Sequence, residues 1–137
     1  MKLSSFFVCL FTILCNFCIK SENLEEIDKS CIKELGIDDF MVDYNLNQLY
    51  LPENNQEFSK FIECVWKKKE FISSTNDFQY DLLIKFISER YIDVVGNHLS
   101  SNAFAHDSVH SCSTVKGNTI GGTAIMILNC VTRLIQS

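Results

Sequence analysis

Proline, glycine and basic residues are scarce in this chain. One proline and five glycines occur among 137 residues, whereas all-β sandwiches and barrels need many such turn residues. Twelve lysines and arginines face 17 acidic residues, and binding to phosphates requires a basic surface, so nucleic acid is not expected as a partner. Hydrophobic residues make up 47 % of the chain, which is too apolar for a disordered protein. The composition favours one compact all-α domain.

The sequence also lacks the motifs that carry common enzyme chemistries. It contains no G-x-S-x-G, no phosphate-binding loop, no G-x-G-x-x-G and no H-E-x-x-H pattern. His106 and His110 are one helical turn apart beside Asp107, a spacing that suits two ligands of one metal ion, but no third ligand accompanies them. We interpret them as surface or partly buried histidines, and we expect no catalytic residue, no cofactor and no metal site.

The N-terminal segment is predicted to be a signal peptide covering residues 1–21. Lys2 is followed by a mostly apolar run from Leu3 to Ile19, and polar residues begin at Lys20. A membrane anchor is the alternative, but a spanning helix needs about 20 apolar residues and this run is shorter and interrupted by polar ones. Residues 22–137 then form a secreted domain, which keeps 10 of the 12 basic and all 17 acidic residues, a net charge of −7.

Four of the seven cysteines remain in this domain: Cys31, Cys64, Cys112 and Cys130. An even number of cysteines in a secreted chain indicates disulfides rather than thiols. Four cysteines allow three pairings, and the composition does not choose among them. A zinc site is the competing interpretation, but the chain has no C-x-x-C pair and every spacing is long.

The hydrophobic periodicity predicts about six helices. Asn23 with Glu26 three residues later forms a capping-box pattern for the first helix, which Gly36 ends. Pro52 separates a weaker second helix, or helical turn, from the third. The expected later segments cover roughly 40–51, 53–71, 77–91, 98–115 and 120–135.

Three of these helices carry distinctive patterns. The fourth is predicted to bury a stripe formed by Phe78, Leu82, Phe86 and Ile87. The sixth is apolar all round over residues 124–128, which is typical of a helix enclosed by others. Three lysines, residues 67–69, close the third helix. We interpret them as a solvated helix end that complements the helix dipole, with an anion or membrane patch as the alternative.

The cysteine order resembles that of the insect odorant-binding proteins, the pheromone and general odorant-binding family. Members of that family have six cysteines, with three residues between the second and third and eight between the fifth and sixth. Cys64 resembles the third cysteine and Cys130 the sixth. At these spacings the second cysteine would fall at Lys60 and the fifth at Gly121. The two absent cysteines are the pair that the family bonds to each other, so the chain resembles the "C-minus" branch.

This resemblance implies a fold and a pairing. Cys31 and Cys112 match the first and fourth cysteines of the family, which implies the disulfides Cys31–Cys64 and Cys112–Cys130. The implied architecture is a compact bundle of about six helices around an apolar cavity, stapled by those two bonds. Without the middle bond, we expect the third and sixth helices to be less constrained and the pocket softer.

The implied function is that of a secreted carrier that binds small hydrophobic ligands, such as odorants, pheromones or lipid-like molecules, and releases them without catalysis. Its partners would be that ligand and a membrane receptor, and the protein would be a monomer or weak dimer. The alternative is a secreted helical interaction protein, such as a venom or salivary effector or a cytokine-like signal, with a large exposed apolar patch and no ligand cavity.

The predicted ligand-binding residues come from helices whose apolar faces would converge in such a fold. The third helix contributes Phe58, Ile62 and Val65. The fourth contributes Phe78, Leu82 and Phe86. The sixth contributes Ile120, Ala124, Ile127 and Val131, again at three-to-four spacing. Phe71 lies in the loop between the third and fourth helices and is expected to form a lid. Because seven residues follow Cys130, we expect no C-terminal plug and little change in binding between about pH 7 and pH 5.

Overall fold

The computed structural model describes residues 24–137, which form six helices and no strand. The helices are α1 (Glu26–Leu35), α2 (Asp39–Leu46), α3 (Gln56–Lys68), α4 (Tyr80–Val95), α5 (His98–Cys112) and α6 (Ile120–Gln136). The predicted all-α bundle is confirmed. The predicted signal peptide and the cap at Asn23 lie outside the described residues. Within residues 24–137, no helix is both long and apolar enough to span a membrane.

Short polar side chains define where most of these helices begin. The N-caps that accept a hydrogen bond from the first turn are Asp38 for α2, Asn55 for α3, Asn97 for α5 and Thr119 for α6. The capping box of α1 uses Glu25, whose N–H donates to Asp28 Oδ2 at 3.0 Å. Each cap satisfies an N–H group that the helix itself leaves unpaired, so the helix starts are encoded locally.

Two predicted helices are shorter in the structure because other backbone hydrogen bonds and turns replace the helical ones. The second ends at Leu46 rather than at 51, and the chain then turns so that Leu51 N–H donates to Asn129 Oδ1 at 2.8 Å. The third begins after Asn55, which caps it, rather than at 53. It ends at Lys68 rather than at 71, because Glu70 has a left-handed backbone with φ 63°.

The boundaries of the fourth and fifth helices also differ from the prediction. α4 begins at Tyr80 rather than at 77, because Phe78 pairs with Ile72 in an isolated antiparallel bridge. It continues past 91 to Val95 and stops at Gly96, whose φ is 91°. α5 ends at Cys112 instead of 115.

The two disulfides implied by the resemblance are present. Cys31–Cys64 joins α1 to α3 with a Cα–Cα distance of 5.9 Å, and Cys112–Cys130 joins α5 to α6 with 5.8 Å. Cys31 and Cys112 are completely buried. The bonds therefore link each terminal region of the domain to the helix that packs beside it.

The core is centred on α6, which packs against α3 and α5. Ala124, Ile125 and Ile127 are fully buried, as expected for an enclosed apolar helix. α4 packs on α5, and it buries Leu83 and Ile87, each 1 % exposed.

The prediction that Leu82 belongs to the buried stripe of α4 is wrong, because 41 % of this residue is exposed. Phe78 and Phe86 are half-buried, and Ile87 is buried as predicted. The inward direction of the helix is set by its packing on α5, which places Leu83 rather than its neighbour on the buried side.

Candidate functional site

Five aromatic rings meet where α3 ends and α4 begins. We call Trp66, Phe71, Phe78, Tyr80 and Phe86 the ring cluster. Trp66 meets Phe71 and Phe78 edge to face, with centroids 5.6 and 6.1 Å apart. Phe71 lies 5.2 Å from Phe86, and Phe78 stacks on Tyr80 at 6.2 Å. All four distances are in the range in which aromatic pairs attract each other.

The end of α3 places Phe71 in this cluster. The Glu70 N–H donates to the Lys67 carbonyl at 3.1 Å, and the Phe71 N–H donates to the Trp66 carbonyl at 2.9 Å. Together with the left-handed φ of Glu70, these two bonds make a Schellman motif. The apolar contact that commonly accompanies this motif is here the Trp66–Phe71 ring pair. Backbone geometry therefore fixes the direction of the Phe71 side chain.

A short hydrogen-bonded turn places Phe78. The Ser73 N–H donates to the Asp77 carbonyl at 2.9 Å, and the Gln79 N–H donates to the Phe71 carbonyl at 2.8 Å. Thr75 Oγ1 donates to Asp77 Oδ2 at 2.7 Å within the turn. These bonds fold residues 71–79 into a turn. Phe71 at the start of the turn and Phe78 near its end therefore both contact other rings of the cluster.

The backbone of α4 stands away from α3 and α6. In the described part of the chain, no Cα atom of α4 comes within 8 Å of a Cα atom of either helix. Helices in direct contact have axes 8–10 Å apart and Cα atoms about 2.3 Å from those axes, so their closest Cα atoms are nearer than this. α5 packs on both α4 and α6, and the Phe71 ring, just after α3, contacts the Phe86 ring of α4.

Two cations flank the same ring of the cluster. Lys69 Nζ lies 5.4 Å and the Arg90 guanidinium 5.9 Å from the Phe86 centroid, which is within cation–π range. Lys69 also pairs with Glu25 at 3.1 Å. Burial raises the pKa of the nearby Asp28 carboxyl, while the Glu25 N–H and the charge of Lys69 lower it by less.

The lysine run at the end of α3 is neutralised within the chain. Lys67 pairs with Glu63 at 2.9 Å, Lys68 with Glu34 at 3.1 Å and Lys69 with Glu25 at 3.1 Å. The last two pairs connect α3 to the α1 region. These contacts favour the interpretation of a solvated helix end over that of a basic patch.

The predicted ligand-binding residues fall into three groups. Those that are buried are Phe58, Ile62, Val65, Phe71, Ala124, Ile127 and Val131. Those that are half-buried are Phe78, Phe86 and Ile120. Leu82 is exposed. The structure brings Phe71, Phe78 and Phe86 together in the ring cluster.

The predicted ligand-binding residues did not include Trp66 and Tyr80, the other two members of the ring cluster. Trp66 is 4 % exposed and lies four residues after Ile62, so helical spacing alone could have found it. Tyr80 begins α4, and its hydroxyl donates to the Ser113 carbonyl at 3.4 Å. No local pattern indicates that contact.

The possible metal ligands do not form a ready site in residues 24–137. His106 Nδ1 lies 3.7 Å from Asp107 Oδ1, and both side chains are mostly exposed. The potential ligand atoms of Cys31, Glu34 and Cys64 lie within 4.8 Å of one another. Both sulfurs are bonded to each other, so neither offers the thiolate that binds a metal.

Comparison with known proteins gives one match. The sequence model of the PBP/GOBP family matches residues 19–133. No curated protein and no solved structure matches the chain.

Proposed function

The chain belongs to the PBP/GOBP family, that of the insect odorant-binding proteins, and we propose that it is a secreted carrier of small hydrophobic ligands. Proteins of this family bind ligands and are not enzymes. The Cys31–Cys64 and Cys112–Cys130 bonds fit the C-minus type. The carrier would hold its ligand between α4 and the packed pair of α3 and α6, and would release it unchanged.

The observation that supports this location is the separation of the α4 backbone from α3 and α6. Helices that are not in direct contact are separated by another helix, by large side chains or by a ligand. α5 packs on both α4 and α6, and we propose that side chains and a ligand share the remaining region between α4 and α3. We propose that the ring cluster forms one end of the site, because it connects the end of α3 with α4 and offers aromatic surface, which is the usual lining of a small-molecule site. The neighbouring α3–α6 contact is tight and leaves no comparable space at Gly121.

We propose that the lining consists of the predicted residues without Leu82, whose exposure places it away from the interior. These residues are Phe58, Ile62, Val65, Phe71, Phe78, Phe86, Ile120, Ala124, Ile127 and Val131. Phe71 would act as a wall rather than as a mobile lid, because the Schellman motif and the following turn hold its backbone.

Binding of the fluorescent apolar probe N-phenyl-1-naphthylamine tests this function. We expect saturable binding by the wild type and displacement by apolar competitors such as long-chain alcohols and esters. Phe86→Ala should weaken probe binding about tenfold, or ~1.4 kcal/mol, because it removes a ring from the proposed lining. Leu82→Ala is the matched control one turn earlier on α4 and should leave the affinity unchanged.

Two results would contradict the proposal. Absence of saturable binding across a broad panel of apolar ligands would refute the carrier function. Equal loss of affinity in Phe86→Ala and Leu82→Ala, with both variants folded by circular dichroism, would refute the location of the site. The proposed removal of residues 1–21 is tested separately by N-terminal sequencing of protein secreted from insect cells that express the full sequence.

A further inference from the structure

One stretch of the chain combines negative charge with exposed apolar side chains. Residues 34–59 include six acidic residues and no lysine, arginine or histidine. Six of the ten large hydrophobic residues that are exposed in the described chain lie in this stretch. They are Leu35, Phe40, Tyr44, Leu46, Leu49 and Tyr50. Exposed apolar residues concentrated in this way commonly mark an interaction site.

The clearest part of this stretch is one side of α2. Phe40 is 73 % and Tyr44 59 % exposed, and residues four apart lie on the same side of a helix. Asp39 and Asp43 have the same spacing, and each immediately precedes one of the two rings in the sequence. We call these four residues the α2 face. The opposite side of the helix is held in the core by Val42, which is fully buried.

The carboxylates of the α2 face make few contacts with the rest of the described chain. Within residues 24–137, neither Asp39 nor Asp43 forms an ion pair. The Asp43 carboxylate accepts one long hydrogen bond from the Asn47 side chain, at 3.4 Å. Two aromatic rings and two carboxylates therefore face solvent side by side.

A neighbouring contact shows how such a surface binds a cation. The Arg133 guanidinium lies 5.7 Å from the Tyr50 ring centroid and 3.5 Å from Glu53 Oε1. The ring and the carboxylate thus hold one guanidinium between them. The α2 face offers two such combinations of an aromatic ring and a carboxylate. No cation of the described chain is paired with either carboxylate.

From this arrangement we propose that the α2 face docks a basic amphipathic helix of another protein. Its apolar side chains would cover Phe40 and Tyr44, and its lysines or arginines would pair with Asp39 and Asp43. Charge complementarity of this kind directs encounter and selects the partner. This interaction is additional to ligand carriage and does not depend on it.

Two other occupants of the face fit less well. A second copy of the chain whose α2 face met this one would bring like charges together. The basic residues 67–69 of a second copy would be a poor partner as well, because these lysines are already paired with Glu63, Glu34 and Glu25. An anionic lipid surface would be repelled by Asp39 and Asp43. A separate basic protein segment satisfies both the charge and the apolar area.

Calorimetric titration with a synthetic amphipathic helical peptide of leucine and lysine tests the proposal, using protein secreted from cells that express the full sequence. We expect binding at about 50 mM salt that weakens at about 500 mM salt, and no binding of the matching leucine–glutamate peptide. Phe40→Ser/Tyr44→Ser and Asp39→Asn/Asp43→Asn should each weaken binding at least about tenfold. Leu99→Ser is the matched control, because Leu99 is 81 % exposed on α5.

Several results would overturn the proposal. These are no binding of the basic peptide, equal binding of the acidic peptide, or equal weakening by Leu99→Ser. Displacement of N-phenyl-1-naphthylamine by the peptide would place it in the ligand site instead. Dimerisation that the α2-face variants abolish would identify a second copy as the occupant. Failure of the probe to bind, with the peptide result intact, would count against the carrier function alone.

Discussion

The Cα atom of Gly121 packs directly on the backbone carbonyl of Ser59, so closely that a Cβ added to Gly121 would overlap that oxygen. The Ser59 and Thr119 hydroxyls form a hydrogen bond of 3.0 Å beside this contact. The family resemblance assigns the two absent cysteines to Lys60 and Gly121. A backbone contact and a hydrogen bond therefore join α3 and α6 where a third disulfide would otherwise stand.

Gly121→Ala should destabilise the protein by about 2–3 kcal/mol, because the new Cβ must push the backbone of α3 aside. Gly122→Ala is the matched control. Its Cβ would meet the Thr119 hydroxyl at 3.0 Å and the Ser59 hydroxyl at 4.0 Å, but no backbone atom of α3, and alanine favours the helix by up to about 1 kcal/mol. Urea unfolding of both variants measures the difference. Equal stability of the two variants would show that the close contact is unimportant.

The two disulfides should contribute unequally to stability. The residues they join are separated by 33 positions for Cys31–Cys64 and 18 for Cys112–Cys130. In the chain-entropy model these loops correspond to about 4 and about 3 kcal/mol. Replacing each cysteine pair by serines and comparing the free energies of unfolding shows which disulfide contributes more to stability. A Cys112→Ser/Cys130→Ser variant that is the less stable of the two would contradict this account.

Glu70→Gly should stabilise the fold by about 0.5–1 kcal/mol. Glu70 has a φ of 63°, a conformation that costs an ordinary residue about 1–2 kcal/mol and glycine almost nothing, although glycine loses more entropy on folding. Asn76, with a φ of 64°, is the control, because asparagine tolerates this region better. Thermal unfolding of Glu70→Gly and Asn76→Gly compares them. A larger gain at Asn76 would contradict the argument.

Asp28 should make stability depend on pH. Its pKa is raised above the ordinary value of 3.8, chiefly by burial. The folded state then holds the proton more tightly than the unfolded state, so this contribution is complete below pH 3.8 and is lost as the pH rises through the raised pKa. Asp28→Asn keeps an acceptor for the Glu25 N–H and should remove this part of the pH dependence. Urea unfolding of wild type and variant at a series of pH values measures this effect. If the difference between their free energies of unfolding is the same at every pH, Asp28 is not the source of the pH dependence.

The helices and the disulfides were predictable, but for different reasons. Side-chain caps such as Asn97 and Thr119 act within three residues of themselves, so the chain near them contains the whole signal. The disulfide pairs followed from cysteine spacing through the family resemblance, which selected one of three pairings. Neither inference required knowledge of how the helices pack.

Packing decided what the sequence could not reveal. Leu82 and Leu83 are equally apolar, and which of them turns inward depends on the position of α4 against α5. Asn129 is buried in an apolar helix because it binds the backbone N–H and carbonyl of Leu51, 78 residues away. The separation of α4 from α3 and α6, on which the proposed site rests, is likewise a property of the assembled bundle.

The most direct test of the account is an NMR measurement of contacts between the protein and a bound apolar ligand. Labelled phenylalanine in the protein allows nuclear Overhauser effects from each ring to a saturating long-chain alcohol to be assigned. We predict one ligand per chain, with contacts to Phe71, Phe78 and Phe86 and none to the exposed ring of Phe40. Contacts confined to Phe40, or no bound ligand at all, would contradict an internal carrier site between α4 and the α3–α6 pair.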